Sequence, residues 1–242
     1  MLTRSGSFPP SVAPHVHSHS HVWVRTHLGQ LQQDLRLTYR AVGAEDLAEV
    51  AALHKEWFPV TYLDSYFQTI NGTSECIAAV VNPADYGDYD TGHDVIVGLI
   101  IYRFQSTRFN SYLRFTYLLS TTHSVYIATL GVLEELRGHG IAKELVRQCI
   151  CQAETSICRP LYIHLHVAVY NEEAIPFYER LGFRRADTLR NYYHILGQPY
   201  DAYVYIYYIN EAKPPLVVGE TVIAAVRQFF RVPELIKSLF LQ

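Results

Sequence analysis

The sequence predicts an α/β fold, a mixed central β-sheet flanked by α-helices. Three observations carry this. Segments of β-type and of helical period alternate in the order β, α, α, β, β, β, α, β, α, β. Hydrophobic residues make up 49% of the 242 residues and charged residues 18%, enough to bury a sizeable core. A β-branched apolar segment, Ser124 to Val132, runs into a glycine-punctuated turn that opens a helix. The same composition excludes other classes. No run of 18 apolar residues reaches the length of a transmembrane helix. A formal net charge of −3 argues against a nucleic-acid partner held by bulk positive charge.

The elements follow in chain order. Leu35 to Tyr39 alternates and reads as a first strand. Ala44 to Phe58 places Leu47, Val50, Ala51, Leu53 and Trp57 at helical spacing, with Glu45 and Asp46 in the first turn, where the helix dipole favours acids. Pro59 ends it. Tyr62 to Ile70 reads as a short second helix, and Glu75 to Val81 as a strand. Asn82 to Asp94 is turn-rich, Val95 to Phe104 is a long apolar strand, and Ser106 to Thr122 is an extension or loop. Ser124 to Val132 is a buried strand, Gly138 to Thr155 a helix, and Leu161 to Tyr170 a strand. Glu172 to Leu181 is a short helix stopped by Gly182, and Ala202 to Ile209 is strongly β.

These elements set three regions. Residues 1–33, rich in Ser, Pro and His, read as a disordered tail without the apolar core of a secretory signal. Residues 34–213 form the domain. Residues 214–242 form an amphipathic tail after Pro214-Pro215. Val222, Ile223, Val226, Phe229 and Phe230 share one helical face there, and Arg227, Arg231 and Lys237 add cations. Such a tail either packs on the domain or lies in a membrane interface. The four cysteines, at 76, 149, 151 and 158, have no paired C-x-x-C spacing and no histidine pair at zinc spacing, so no metal site is read.

The strongest local signal is Leu130-Gly131-Val132 followed by Arg137-Gly138-His139-Gly140-Ile141-Ala142-Lys143. A strand, two glycines and a helix start let successive backbone N–H groups curl around an anion, as a pyrophosphate requires. It is not a Walker loop, since Gly-Lys-Ser/Thr is absent, and G-x-G-x-x-G fails after Gly140.

This run resembles motif A of the GNAT acetyltransferases, with its Arg/Gln-x-x-Gly-x-Gly/Ala signature. The segment Asn171 to Phe183 resembles their motif B. Four further stretches, Glu56 to Tyr62, Tyr126 to Val132, Leu165-His166-Val167 and Tyr203 to Asn210, are similar to the N-terminal protein acetyltransferases of that superfamily. The similarity spans about Leu35 to Pro215. It implies a GNAT fold and transfer of acetyl from acetyl-CoA, without a metal, to the free α-amine of protein N-termini beginning with Met and a hydrophobic or similar residue.

Such an amine has a pKa near 8 and must lose a proton before it attacks. A mild base, direct or through water, serves. Candidates are Tyr126, His164 and His166; the two histidines, two apart on a strand, share a face. The resemblance selects His166, with Tyr126 as the second catalytic position. It implies that Leu130, Gly131 and Val132 pair with pantetheine and that Arg137, Gly138, His139, Gly140, Ile141, Ala142 and Lys143 cradle the pyrophosphate. It implies further that Asn171, Tyr178 and Arg180 complete the cofactor contacts, with Tyr178 either protonating the leaving thiolate or packing. By the same resemblance, Phe58, Tyr62, Ala128, Tyr192 and Tyr193 are expected to line the peptide groove. Two positions depart from the pattern: Ala128 stands where a relative carries a larger aliphatic side chain, and Asn191 where it carries tyrosine.

The resemblance also implies attachment of the C-terminal tail to the cytosolic face of the Golgi membrane, and it allows a histone-lysine activity. A small-amine acetyltransferase and a non-catalytic acyl-CoA-binding module are the other readings. Ten of the 19 tyrosines lie between Tyr162 and Tyr208, which suggests a few at work in a groove and the rest on a half-wet strand surface.

Overall fold

A computed structural model of the chain describes residues 18–58, 62–108, 121–195 and 197–211. Its elements are α1 (His19–Gln33), β1 (Thr38–Ala41), α2 (Leu47–Trp57), α3 (Asp64–Phe67), β2 (Glu75–Val81), β3 (Val95–Arg108), β4 (Thr121–Val132), α4 (Ile141–Thr155), β5 (Tyr162–Ala168), α5 (Ala174–Arg180), β6 (Arg184–Ile195) and β7 (Gln198–Tyr208). Among the described residues seven strands join in the order β1-β2-β3-β4-β5-β7-β6. β1–β2, β2–β3, β5–β7 and β6–β7 are antiparallel, whereas β4–β5 is parallel. A parallel pair needs a long crossover, and α4 supplies it. The mixed sheet with flanking helices is the fold the sequence predicts.

The chain divides into two compact units. One comprises the described residues up to Tyr102 together with Ala128–Cys149, and the other the described residues of 103–127 and 150–211. In the first, the β2 and β3 residues Ala78, Val80, Val97, Leu99 and Ile100 are buried, as are Ile141 and Leu145 of α4. A Cβ at Gly98 would stand 2.9 Å from Ile141 Cγ2, so the absent side chain makes room for the start of α4. In the second unit, Val204 and Ile206 of β7 form a core cluster against Tyr162, Leu189 and Tyr208.

Two elements correct the sequence reading. The supposed tail through Gln33 is not without structure: His19–Gln33 is a helix. Ser18 caps it by accepting from the His21 N–H at 3.2 Å. Trp23, Val24 and Leu31 share a face and are buried. Polar ties fix it further. Ser18 donates from N and Oγ to Glu56 Oε2 at 3.2 and 3.3 Å, Ser20 N donates to Glu49 Oε1 at 2.9 Å, and Trp23 Nε1 donates to Asp88 Oδ2 at 2.7 Å. His21 Nδ1 lies 2.6 Å from Glu56 Oε1, and Arg25 Nε 2.6 Å from Glu135 Oε1. Ser18, Ser20 and His21, which read as solvated, therefore cap the helix or contact the carboxylates of Glu49 and Glu56. The second correction is β6, absent from the predicted order. It is the last strand of the sheet and largely exposed, so no clean alternation marks it.

Several boundaries shift by a few residues. The short helix expected from Tyr62 contracts to Asp64–Phe67. The expected loop 106–122 gives its ends to β3 and β4, and residues 109–120 lie outside the described residues. The amphipathic tail 214–242 also lies outside them.

Candidate active site

In the second unit, β4, β5 and β6 bring four predicted residues together. β4 and β5 run parallel with Tyr126 opposite His164. His166 lies two residues further on the same face. Its Nδ1 is 3.2 Å from the Tyr126 hydroxyl and 2.8 Å from the Tyr192 hydroxyl. Tyr193 donates its hydroxyl to the His166 carbonyl at 3.3 Å.

Neighbouring residues of a strand normally point to opposite faces. Tyr192 and Tyr193 both reach His166 because the β6–β7 register shifts between Leu189 and Tyr193. Asn191 makes that shift with a left-handed φ of 51°, and its N–H donates to Asp201 Oδ1 at 2.8 Å. Asparagine tolerates this conformation better than tyrosine does. The departure at Asn191 thus has a local backbone reason.

Enclosure sets the ionisation of the cluster. Burial, then the neighbouring His164 and the Arg103 guanidinium, hold His166 well below the ordinary imidazole value. Burial pushes His164 down to about 3. The phenols move the other way: burial raises Tyr126, against a hydrogen bond from Tyr192 and the charge of Arg103. Tyr192 and Tyr193 are raised well above the ordinary phenol range, burial again being the first cause. At neutral pH the array is neutral imidazole and neutral phenol. Both hydroxyls lie within hydrogen-bond reach of Nδ1, and the imidazole tautomer sets which partner donates.

The first unit carries the predicted phosphate cradle. Gly138 and Gly140 take φ values of +83° and +79°, and nothing lies within 4 Å of where their Cβ atoms would stand. Such backbone favours glycine. The opening N–H groups of α4 have no intrahelical carbonyl to meet. Arg137, His139 and Lys143 are exposed beside them, whereas Ile141 is buried as a core residue. His139 turns Nδ1 onto its own loop, 3.2 Å from the Leu136 carbonyl and 3.1 Å from that of Arg137. On β4, a Cβ at Gly131 would collide with the Trp57 indole, so that position is open only to glycine unless the ring moves. Leu130 and Gly131 are half-buried and Val132 is buried. An open backbone nest, a helix N-terminus and flanking cations suit a nucleotide pyrophosphate.

Phe58 and Tyr62 also stay in the first unit, gathered on a residue the sequence reading missed. His54, buried on α2, has its ring centroid 5.2 Å from Phe58 and 5.4 Å from Tyr62. Its Nδ1 donates to the Val50 carbonyl at 2.8 Å, so its Nε2 accepts from Thr129 Oγ1 at 3.1 Å. Burial lowers it to about 4. Ala128, the neighbour of Thr129 on β4, is half-buried. The only signal for His54 was its place four residues after Val50 on the apolar face of α2.

Three predicted cofactor residues sit elsewhere, in the second unit. Asn171 Oδ1 accepts from Ala174 N at 3.1 Å at the entry to α5. Tyr178 is buried and packs edge-on against Phe183 at 5.5 Å. Arg180 is exposed. Among the described residues no group of three or more His, Cys, Asp or Glu could hold a metal ion.

The model of the Acetyltransferase (GNAT) family matches residues 41–183. The chain belongs to the GNAT acetyltransferase family. Among its GNAT relatives, the Arabidopsis thaliana protein named Histone acetyltransferase MCC1 is 31% identical over 182 residues, 73% of this chain and 72% of that protein. N-alpha-acetyltransferase 60 of Xenopus tropicalis is 32% identical over 177 residues, 72% of this chain and 70% of that protein. Arabidopsis thaliana NAA60, solved with a bisubstrate analogue, superposes with a TM-score of 0.62 at 29% identity, covering 72% of this chain and 100% of that structure. The same protein is also solved with acetyl-CoA. Acetyl-CoA is the cosubstrate of this GNAT chain, and its open cradle fits that role.

Proposed function

We propose that this chain is an N-alpha-acetyltransferase that moves acetyl from acetyl-CoA to the free α-amine of protein N-termini, with Met followed by a hydrophobic or similar residue preferred. The observation that carries this is the convergence of the Tyr126 and Tyr192 hydroxyls on Nδ1 of His166. The relatives named N-alpha-acetyltransferase 60 support it.

Acetyl-CoA brings an activated thioester, so no covalent enzyme intermediate is needed. The chain must deprotonate the amine. A buried phenol is a poor store for negative charge. Tyr126 therefore passes its own proton to His166 Nδ1 as it accepts one from the amine, directly or through water, and no free phenolate forms. The amine lone pair bonds to the acetyl carbonyl carbon, the carbon–sulfur bond breaks, and the second proton that the nitrogen sheds on becoming an amide is taken up by the thiolate. Tyr192 holds the imidazole in the accepting tautomer. Phe58, Tyr62 and Ala128 contact the first residues of the peptide.

The test is an acetyl-CoA assay of the full chain on peptides beginning Met-Leu, Met-Lys, Met-Val, Ser and Ala, beside a peptide with a blocked N-terminus and an internal lysine. Turnover concentrated on free Met-starting peptides is expected. Turnover on the blocked peptide alone overturns the assignment in favour of a lysine acetyltransferase, the reading that the name of the MCC1 relative favours.

We also propose that residues 214–242 attach the enzyme to the cytosolic face of the Golgi membrane. The amphipathic face of Val222, Ile223, Val226, Phe229 and Phe230 beside Arg227 and Arg231 supports this. Among the described residues no helix is long and apolar enough to cross a membrane. Imaging of the tagged full chain against a chain ending at residue 213 tests it: Golgi signal for the first and diffuse signal for the second are expected, and identical diffuse signals overturn it.

A further inference from the structure

The mechanism above leaves one charge unused. Arg103, near the end of β3, is half-buried, with its guanidinium carbon 5.1 Å from the centroid of the Tyr126 ring. A long side chain gives up rotamer freedom to stay over a ring. Gln105, two residues along the same strand, restricts it. With its amide oriented to satisfy both groups, Gln105 accepts from Arg103 Nε at 2.7 Å and from Nη2 at 3.1 Å. The cation is thus held in place.

The titratable groups facing it are Tyr126 from β4, His164 and His166 from β5, and Tyr192 from β6, with Tyr193 beside them. Arg103 acts on all of the first four. It opposes protonation of both imidazoles and favours loss of the phenolic protons of Tyr126 and Tyr192. Every one of these effects pushes a proton out of the cluster. An acceptor amine that meets Tyr126 meets the same field. It arrives mostly as an ammonium, and only the neutral amine has a lone pair to offer.

We propose that Arg103 is a positioning residue for proton release: its fixed charge over Tyr126 keeps the bound acceptor in the neutral, attacking form. The proton leaves the amine nitrogen by way of Tyr126 and His166 and ends in solvent, while the freed lone pair forms the carbon–nitrogen bond. His166 is a way station and not a store. This role rests on the acetyl-transfer reading given above, with Tyr126 at the acceptor.

The test is the pH dependence of kcat at saturating peptide for the wild type, Arg103→Gln, Arg103→Lys and Gln105→Leu. Loss of the charge in Arg103→Gln is expected to move the acid limb up by about one pH unit, a loss of about tenfold near pH 7 that closes at high pH. Arg103→Lys keeps the charge and should keep the wild-type limb. Gln105→Leu frees the guanidinium without removing it, and should move the limb the same way by less. It also carries the test if Arg103→Gln does not fold. An unmoved limb in Arg103→Gln, whatever its rate, overturns the proposal, as does an unmoved limb in Gln105→Leu or an Arg103→Lys limb that moves like that of glutamine. The limb is read on whichever amine the wild type acetylates. Failure of the N-terminal assignment would therefore show in the peptide panel and not in this comparison.

Discussion

The Tyr192 hydroxyl lies 2.8 Å from His166 Nδ1, closer than that of Tyr126 at 3.2 Å. Both hydroxyls meet the same ring nitrogen, so the pair of tyrosines decides how the imidazole is held. Loss of the Tyr192 hydroxyl in Tyr192→Phe is expected to lower kcat about tenfold and leave the KM for acetyl-CoA unchanged. His166→Ala is expected to lower kcat by about 10² to 10³. Because these groups act as a unit, the double variant should lose little more than His166→Ala alone, which steady-state kinetics on a Met-Leu peptide would show.

His54 makes the fold acid-labile. Its value falls from 6.5 in the unfolded chain to about 4 in the folded one. Between those values the unfolded state binds a proton that the native state refuses, so stability is full above pH 6.5 and declines as pH falls towards 4. One such group contributes about 1.4 kcal/mol per pH unit, or about 3 kcal/mol across the window. His164, held down to about 3, and His166, held well below the ordinary imidazole value, add two more protons over the same range. Urea unfolding at pH 7, 6 and 5 should show the steeper three-proton slope in the wild type. In His54→Gln it should fall to the slope of two protons, and an unchanged slope would overturn this prediction.

The cradle glycines give a cofactor-specific variant. Gly140 has φ +79°, where a β-branched residue is strained by about 1–2 kcal/mol. Gly140→Val should raise the KM for acetyl-CoA at least tenfold and leave the peptide KM near wild type. Isothermal titration with CoA alone reads the same loss without turnover.

The helix α1 is expected to contribute stability that the family-matched residues do not supply. Trp23 is 5% exposed and Val24 and Leu31 are fully buried. Truncating Trp23 to alanine should cost about 3 kcal/mol, and removal of residues 1–34 more than that. Differential scanning calorimetry would report both; an N-terminal deletion as stable as the full chain would show that α1 is not docked in solution.

The sheet and the cradle were legible because their signals are local. Ser124 to Val132 is apolar and β-branched, and Gly138 and Gly140 sit where the backbone must turn. Glu75–Val81 was read to the residue. The rest depends on partners far away in the chain. Ser18 and His21 read as tail until Glu56, at a separation of 38 residues for Ser18, accepts them. β6 shows no alternation because it is exposed and bulged. Arg103 looked like one cation on a strand, and only the fold sets it over Tyr126. Likewise, Tyr205 read as strand surface, yet it is 1% exposed and its hydroxyl donates to Glu179 Oε1 at 2.9 Å.

The turn at Asn191 has a consequence for how this protein tolerates change. Two adjacent tyrosines face one histidine because β6 carries two more residues than β7 between the pairs Leu189–Ala202 and Tyr193–Tyr200. Residue identity is only part of that arrangement; the other part is chain length. Adding or deleting one residue between Leu189 and Tyr193 would exchange the faces of everything beyond it. An alanine scan across this stretch would score each position separately and miss the dependence. A scan of one-residue insertions and deletions would find a short interval in which composition is negotiable and the number of residues is not.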